Sequence, residues 1–597
     1  MSYLPLSSYG VIGDLHTAAL VGSSGSVDWC CLPRFDSESL FAALLDQTRG
    51  GYWRIAPAAE FTSEQHYLTA SNVLETVFRV PGGGVLHLTD FMPVGPTREG
   101  RSRIFRRVRA VRGTVPVRVE WAPRFDYATK LPKLTRRRYG VLATDRDNDV
   151  TAVVGPADLQ WHCAGGVATA ELPLREGETA WFILTFDEDE LHPVESHEPD
   201  AVMERTIRWW DFWSSQIRYA GPFRREVERS ALALKLCCYE PTGAIVAAPT
   251  TSLPESYTGG RNWDYRYVWL RDSAYVLYAF EALGFEEETD SFLRFLKRVC
   301  RREGDDPLQI MYAVDGERDL PERVLGHLEG YRGAGPVRIG NGAVNQFQLD
   351  VYGEVLATLD QWSARRSLSE GTWHVVQGLV DQTMSLWRRP DQSIWEPRTA
   401  PRHHVASKVM AWVALDRGAK IAERYGRAEE AARWRAEAEA VHAEVMDRGW
   451  DPVRGTFVQA YGEPHLDAAL LVVPKFRFLP RSDPRVRSTL AAIRRELGTS
   501  CEELIYRYRA ADGLAGEEGA FVTCSFWMIQ NLAMVGELDE AERLFRNLVR
   551  RFEPLGLAAE EIDPATGEQM GNYPQALSHA ALINTAVVIE RLRSKAD

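Results

Sequence analysis

The sequence predicts a multidomain β + α protein, an N-terminal antiparallel β-sandwich followed by a C-terminal (α/α)6 barrel. Three observations carry this. Short runs of alternating side chains fill the first 195 or so residues with no long helix between them, the pattern of an antiparallel sandwich. From about residue 200 the period becomes helical, and many stretches come as pairs turning at a glycine. Those stretches show no self-similarity at a fixed period, which sets a helical solenoid aside.

In chain order, residues 17–33 read as two β-rich runs around a Ser-Gly turn, and residues 72–94 as a hairpin turning at Pro81-Gly82-Gly83-Gly84. Residues 103–125 alternate over two runs broken at Gly113, and residues 139–155 and 168–186 continue the pattern. Residues 201–217 look like a connecting helix. About twelve helical stretches follow: 225–239, 273–302 turning at Gly284, 344–364, 371–388, 405–447 turning at Gly426, 484–497, 525–552 turning at Gly536, and 577–594. The segment 428–449 is the clearest, rich in strong helix formers with Gly449 at its end. Six helical hairpins in about 375 residues fit a closed double ring. Its long connections, rich in Trp, Gly, Asp and Arg, are expected to gather at one mouth and to carry function. The expected units are a sandwich over 1–198, a helical linker over 199–222 and the barrel over 223–597.

Composition narrows the function. The net charge of −13 argues against binding a phosphate backbone, so no nucleic-acid partner is expected. Eight cysteines without C-x-x-C spacing are too sparse for a disulfide scaffold. No signal-peptide pattern opens the sequence, and no run of about 18 apolar residues would span a bilayer. The expectation is a soluble cytoplasmic protein without a membrane partner; the sequence leaves homo-oligomerisation open. Most of the 62 aromatic residues are core. Many of the 18 tryptophans, however, sit beside carboxylates or arginines, which suits a sugar site: an indole packs on the ring face while carboxylates bind hydroxyls.

Three constellations bear chemistry. In the first, residues 262–272 (NWDYRYVWLRD), Asp272 alone reads as a helix cap. Capping does not explain charges set among four large aromatics, and Arg271 with Asp272 offers a donor fork and an acceptor pair for adjacent hydroxyls. In the second, residues 393–404, Glu396 follows Trp395; a carboxyl desolvated against an indole has the raised pKa that a general acid needs. In the third, residues 559–569 (AEEIDPATGEQ), the carboxylates are usually a solvated loop, yet the flanks are apolar and one of them suits a general base. No P-loop, nucleophile elbow or H-E-x-x-H motif occurs. His403-His404 are adjacent, a spacing that does not place two imidazoles on one metal.

Together these residues resemble glycoside hydrolase family 15, the glucoamylase family, in its bacterial and archaeal trehalase-like branch. YGVIGD at 9–14, GSVDW at 25–29 and PRFD at 33–36 are similar to that branch's N-terminal domain. The segment 262–272, IWE at 394–396, PRH at 401–403, YRY at 506–508, GEEG at 516–519 and GEQ at 567–569 are similar to its barrel motifs. The resemblance implies Glu396 as general acid and Glu560, first of the Glu pair, as general base. It implies Arg271, Asp272 and Arg507 as holders of the non-reducing glucose, with Trp263, Asp264, Trp395 and Asn341 as wall residues. Pro397 stands where the family usually has another residue, which bears on the fit of the leaving group and leaves Glu396 intact.

The expected reaction is hydrolysis of an α-glucoside with inversion, releasing β-D-glucose, with two carboxyls roughly 6.5–9.5 Å apart. No metal and no cofactor are required by that chemistry. Trehalose is the favoured substrate, because an intracellular enzyme meets it more readily than starch. Glucoamylase-type and isomaltose or maltooligosaccharide hydrolysis stand as alternatives, with a glycoside phosphorylase or a non-catalytic sugar-binding protein behind them. Linkage preference belongs to the mouth loops, such as residues 314–340 and 500–519.

Overall fold

The computed structural model describes residues 3–98, 100–303 and 306–595. The chain opens as two eight-stranded antiparallel sheets. One runs in the order Tyr9–Gly13, Ala18–Gly22, Ser26–Cys31, Tyr52–Pro57, Val115–Ala122, Val167–Leu174 and His162–Ala164, with Ser39–Phe41 paired to Ser26–Cys31. The other runs Lys133–Arg137, Gly140–Thr144, Val150–Val154, Thr179–Phe186, Arg103–Arg112, Val85–Phe91, Leu74–Arg79 and Thr62–Tyr67. In Val115–Ala122 the residues Val115, Val117, Val119 and Trp121 are buried while Pro116 and Arg118 face out, the period-two pattern of a half-buried strand. The two runs broken at Gly113 do not pair with each other. Arg103–Arg112 lies in one sheet and Val115–Ala122 in the other, so the chain crosses between layers there. Val167–Leu174 and Thr179–Phe186 cross in the same way. Alternation looks alike along a hairpin and along a crossover.

Helix α1 (Pro199–Ser215) leads into the barrel. There follow α2 (Arg224–Leu236), α3 (Leu270–Leu283), α4 (Glu286–Glu303), α5 (Asp350–Ser363), α6 (Glu370–Leu386), α7 (Val405–Arg424), α8 (Ala428–Arg448), α9 (Val472–Lys475), α10 (Pro484–Leu497), α11 (Val522–Met534), α12 (Leu538–Arg550) and α13 (Ala576–Arg593). Helices α3, α5, α7, α9, α11 and α13 form the inner ring, which closes where α13 packs on α3. The alternate helices lie outside. Their sequences sort them: every residue of α11 is buried, whereas α12 buries only the stripe Ala541, Leu544, Phe545 and Leu548.

One inner position is unlike the rest. It holds only the 3-10 turn Ala468–Leu471 and the single helical turn of α9, which contains Pro474. A segment so short carries no helical period, and none of the sequence-predicted stretches falls there. The predicted 225–239 helix stops at Leu236 because Cys238–Tyr239 pairs with Ala244–Ile245. The predicted 344–364 helix begins only at Asp350, after a 3-10 turn at Gly342–Asn345.

The sandwich grips loops at one end of the barrel. Trp29 donates its indole N–H to the Pro249 carbonyl, and Tyr573 donates its hydroxyl to the Tyr9 carbonyl. Arg34 pairs with Asp315 at 2.7 Å, and the Val314 amide donates to Asp36. The contacts of the sandwich thus reach the 314–340 loop directly. Among the described residues, no helix is long and apolar enough to cross a membrane.

Candidate active site

A cavity opens among the connections at that end of the barrel. Hairpin and loop residues of 251–269, 394–398, 507–521 and 560–577 line it together with the first turn of α3. Helix α3 starts three residues earlier than the capping reading of Asp272 implies. Arg271 and Asp272 therefore sit within its first turn, where a carboxylate is favoured by the helix dipole.

Arg271 is the hub of the cavity floor. Its Nε donates to Asp272 at 3.2 Å, its Nη1 to Gln348 at 2.9 Å, and its Nη2 to Oε1 of Glu396 at 3.4 Å. Burial pushes the Asp272 carboxyl up to about 6, against the pull of the neighbouring guanidinium.

Glu396 lines the cavity in a left-handed backbone conformation, φ +58°. Non-glycine residues adopt it rarely, and such strain gathers at functional sites. Gln346 holds the turn by donating to the carbonyls of Glu396 and Pro397. The indole that hydrogen-bonds the Glu396 carboxylate is Trp269, at 2.8 Å to Oε1. The neighbouring Trp395 instead donates to Asp467 at 2.6 Å.

Glu560 is fully buried and lines the same cavity. Its Oε1 accepts the Tyr265 hydroxyl at 2.6 Å, and its Oε2 has no side-chain hydrogen-bond partner among the described residues. Burial pushes its pKa up to about 7, while Arg507 and the Tyr265 hydrogen bond pull it down. Gly571, at φ +74°, makes room for it: a Cβ there would lie 2.6 Å from Oε2. Glu561 belongs to the strand Glu561–Ile562, paired with Ala520–Phe521. It accepts the Gly519 amide at 2.8 Å and is not part of the cavity lining, so the two adjacent glutamates have different surroundings.

Arg507, Trp395, Trp263 and Asn341 also line the cavity. Arg507 is tied to Glu255 at 3.0 Å and to Glu518 at 2.7 Å. Asn341 accepts the Ala343 amide and so caps the turn that follows it. Asp264 is the exception. It is wholly buried, both its oxygens are engaged by Arg266 at 2.9 and 2.7 Å, and it also accepts the Gly340 amide. Arg266 in turn donates to the Ser37 carbonyl of the sandwich. Asp264 is thus half of a buried ion pair that seats the hairpin on the N-terminal domain, and it does not line the cavity.

Sequence reasoning missed Tyr265 and Trp269, the partners of the two glutamates, although both lie inside the 262–272 motif. It also missed Glu518, in the quoted GEEG, and Arg398, two residues past Glu396. Glu255 stands in no motif and gave no signal.

Residues 221–587 match the model described as glycosyl hydrolases family 15, and residues 2–210 that of the trehalase-like N-terminal domain. The chain belongs to glycosyl hydrolases family 15. This family-15 enzyme is 40% identical to the trehalase of Mycolicibacterium smegmatis over 99% of its own length and 92% of that protein. It is 36% identical to the trehalase of Thermoplasma volcanium, over 98% and 94%. Its fold matches a bacterial glucoamylase solved with acarbose at a TM-score of 0.76, 14% identity, and coverage of 99% and 94%. The family and the sandwich-plus-barrel architecture expected from the sequence both hold.

Proposed function

We propose that this family-15 hydrolase cleaves trehalose by a single displacement with inversion, Glu396 acting as general acid and Glu560 as general base. The observation that carries the assignment is that both carboxylates line one cavity, each with its Oε1 already engaged. Trp269 and Arg271 donate to Oε1 of Glu396; a proton on that atom would compete with them, so the acidic proton belongs on Oε2. Tyr265 likewise donates to Oε1 of Glu560, fixing the carboxylate that takes a proton from water. A base raised to about 7 by burial is strong enough to deprotonate water in the transition state and still ionised near neutrality.

Arg271 and Asp272 hold the non-reducing glucose through its hydroxyls, turning binding energy into orientation of the anomeric carbon. Arg507 keeps the carboxylates around the base in place and compensates part of their charge. Trehalose as the substrate rests on the full-length likeness to trehalases. The buried thiols of Cys30, Cys31, Cys237 and Cys238 suit a reducing compartment, which supports a cytoplasmic enzyme. The chemistry calls for no metal or cofactor.

The test compares glucose release from trehalose, maltose, isomaltose and maltotriose, with and without phosphate. The expected result is the highest kcat/KM on trehalose, with glucose as the product. A preference for maltose or isomaltose would overturn the substrate. Glucose 1-phosphate formed only with phosphate would overturn hydrolysis.

A further inference from the structure

The wall of the cavity next to the acid has an unexpected surface. Trp263 lines it, yet its ring is not open. The Arg398 guanidinium lies 4.9 Å from the ring centroid and that of Arg338 lies 4.6 Å from it. Arg398 lines the cavity and Arg338 does not, so Arg398 lies at the cavity wall. One carboxylate holds both: Glu322 meets Arg398 through Oε2 at 3.3 Å and Arg338 through Oε1 at 3.5 Å.

Glu322 is itself fixed. It accepts the Gly342 amide at 3.0 Å, beside Asn341. Arg338 is anchored further on the carbonyls of Gly260 and Asn262, and the Arg398 amide on the Asp512 carbonyl. A single side chain of the 314–340 loop therefore ties together the hairpin bearing Trp263 and the segment bearing Glu396.

Resting on the functional reading above, we propose that Glu322 is a specificity-determining positioning residue that shapes the leaving-group side of the cavity. An uncovered indole would take the apolar face of any ring. A guanidinium held over it replaces that face with N–H donors in a fixed plane, and Glu322 binds only part of the Arg398 fork. Such a wall recognises a leaving group by its hydroxyls. The leaving group of trehalose is a complete glucose, with hydroxyls around its ring to meet those donors. A site built on hydrogen bonds rejects partners that lack them more sharply than an apolar one does.

The experiment measures kcat and KM of wild type, Glu322→Gln and Glu322→Asp on trehalose and on α-D-glucosyl fluoride. Fluoride is a single-atom leaving group and cannot touch this wall, so it reads the glucose site and the two carboxylates alone. Glu322→Gln should raise KM for trehalose about tenfold, the effect of weakening charge-assisted hydrogen bonds, and leave kcat/KM on the fluoride unchanged. Glu322→Asp, which restores the charge, should recover part of the loss. A parallel fall on both substrates would make Glu322 merely structural and overturn the proposal, and so would no change on either. A wild-type enzyme that turns over the fluoride but not trehalose would remove the substrate reading. One that turns over neither would remove the hydrolase reading, and the proposal falls with either.

Discussion

The hydroxyl of Tyr265 donates to Oε1 of Glu560 at 2.6 Å, and its ring meets that of Trp269 edge-on at 5.3 Å. Trp269 in turn donates to Glu396 at 2.8 Å. Two neighbouring aromatics thus hold one oxygen of each carboxylate.

Removing the Tyr265 hydroxyl tests this pair. A hydrogen bond to the charged form lowers a carboxyl pKa, so Tyr265→Phe should raise that of Glu560 and move the acidic limb of the kcat/KM profile to higher pH. A hydrogen bond to a charged group contributes about 1.5–3 kcal/mol, so kcat should drop roughly ten- to one-hundredfold. An unmoved limb would mean that Tyr265 does not act on the base.

In the wild-type enzyme the base must be ionised, so activity falls as pH drops through its pKa. With Glu560 pushed up to about 7 by burial, the acidic limb should lie well above the ordinary carboxylate range. A limb near 4 would show that burial does not raise the carboxyl that controls the acidic side. The profile of kcat/KM reports the free enzyme and is the one to measure.

Gly571→Ala places a methyl against Glu560 in a backbone region that L-residues avoid. It should lower kcat about tenfold or more through misplacement of the base, with a modest loss of thermal stability. Full activity would show that the close approach is not needed.

Asp264→Asn separates wall from scaffold. Breaking a buried ion pair costs about 3–5 kcal/mol, so the melting temperature should fall clearly while KM of the folded enzyme stays near wild type. A selective rise in KM at unchanged stability would restore Asp264 to the sugar site. Arg271→Lys should do the reverse. It loses the fork that joins Asp272, Gln348 and Glu396, lowering kcat/KM about 100-fold with little change in melting.

Much of this was legible in the sequence because helical and strand periods are local. The hairpins turning at Gly284, Gly426 and Gly536 and the isolated 484–497 stretch lie close to where the structure has them. What was lost is what periodicity cannot carry. The eight residues of the short inner-ring position make no period, and the crossings at Gly113 and between Leu174 and Thr179 look like hairpins until pairing is known. At the site, motif position marked Arg271, Glu396 and Glu560 but could not tell which way a side chain points. Asp264 shares a motif with Arg271 and turns into the domain seam, while Trp395, though adjacent to Glu396, gives its hydrogen bond to Asp467.

Inversion at a glucosyl carbon by Glu396 and Glu560 is read out by proton NMR of freshly formed products. Cleavage of trehalose leaves one glucose with its α-configuration untouched, and water attack with inversion makes the other β. Equal amounts of α- and β-glucose in the first minutes, lost in Glu396→Gln and in Glu560→Gln, are the predicted result. α-Glucose alone would mean retention, and would contradict both the mechanism and the roles of the two carboxylates.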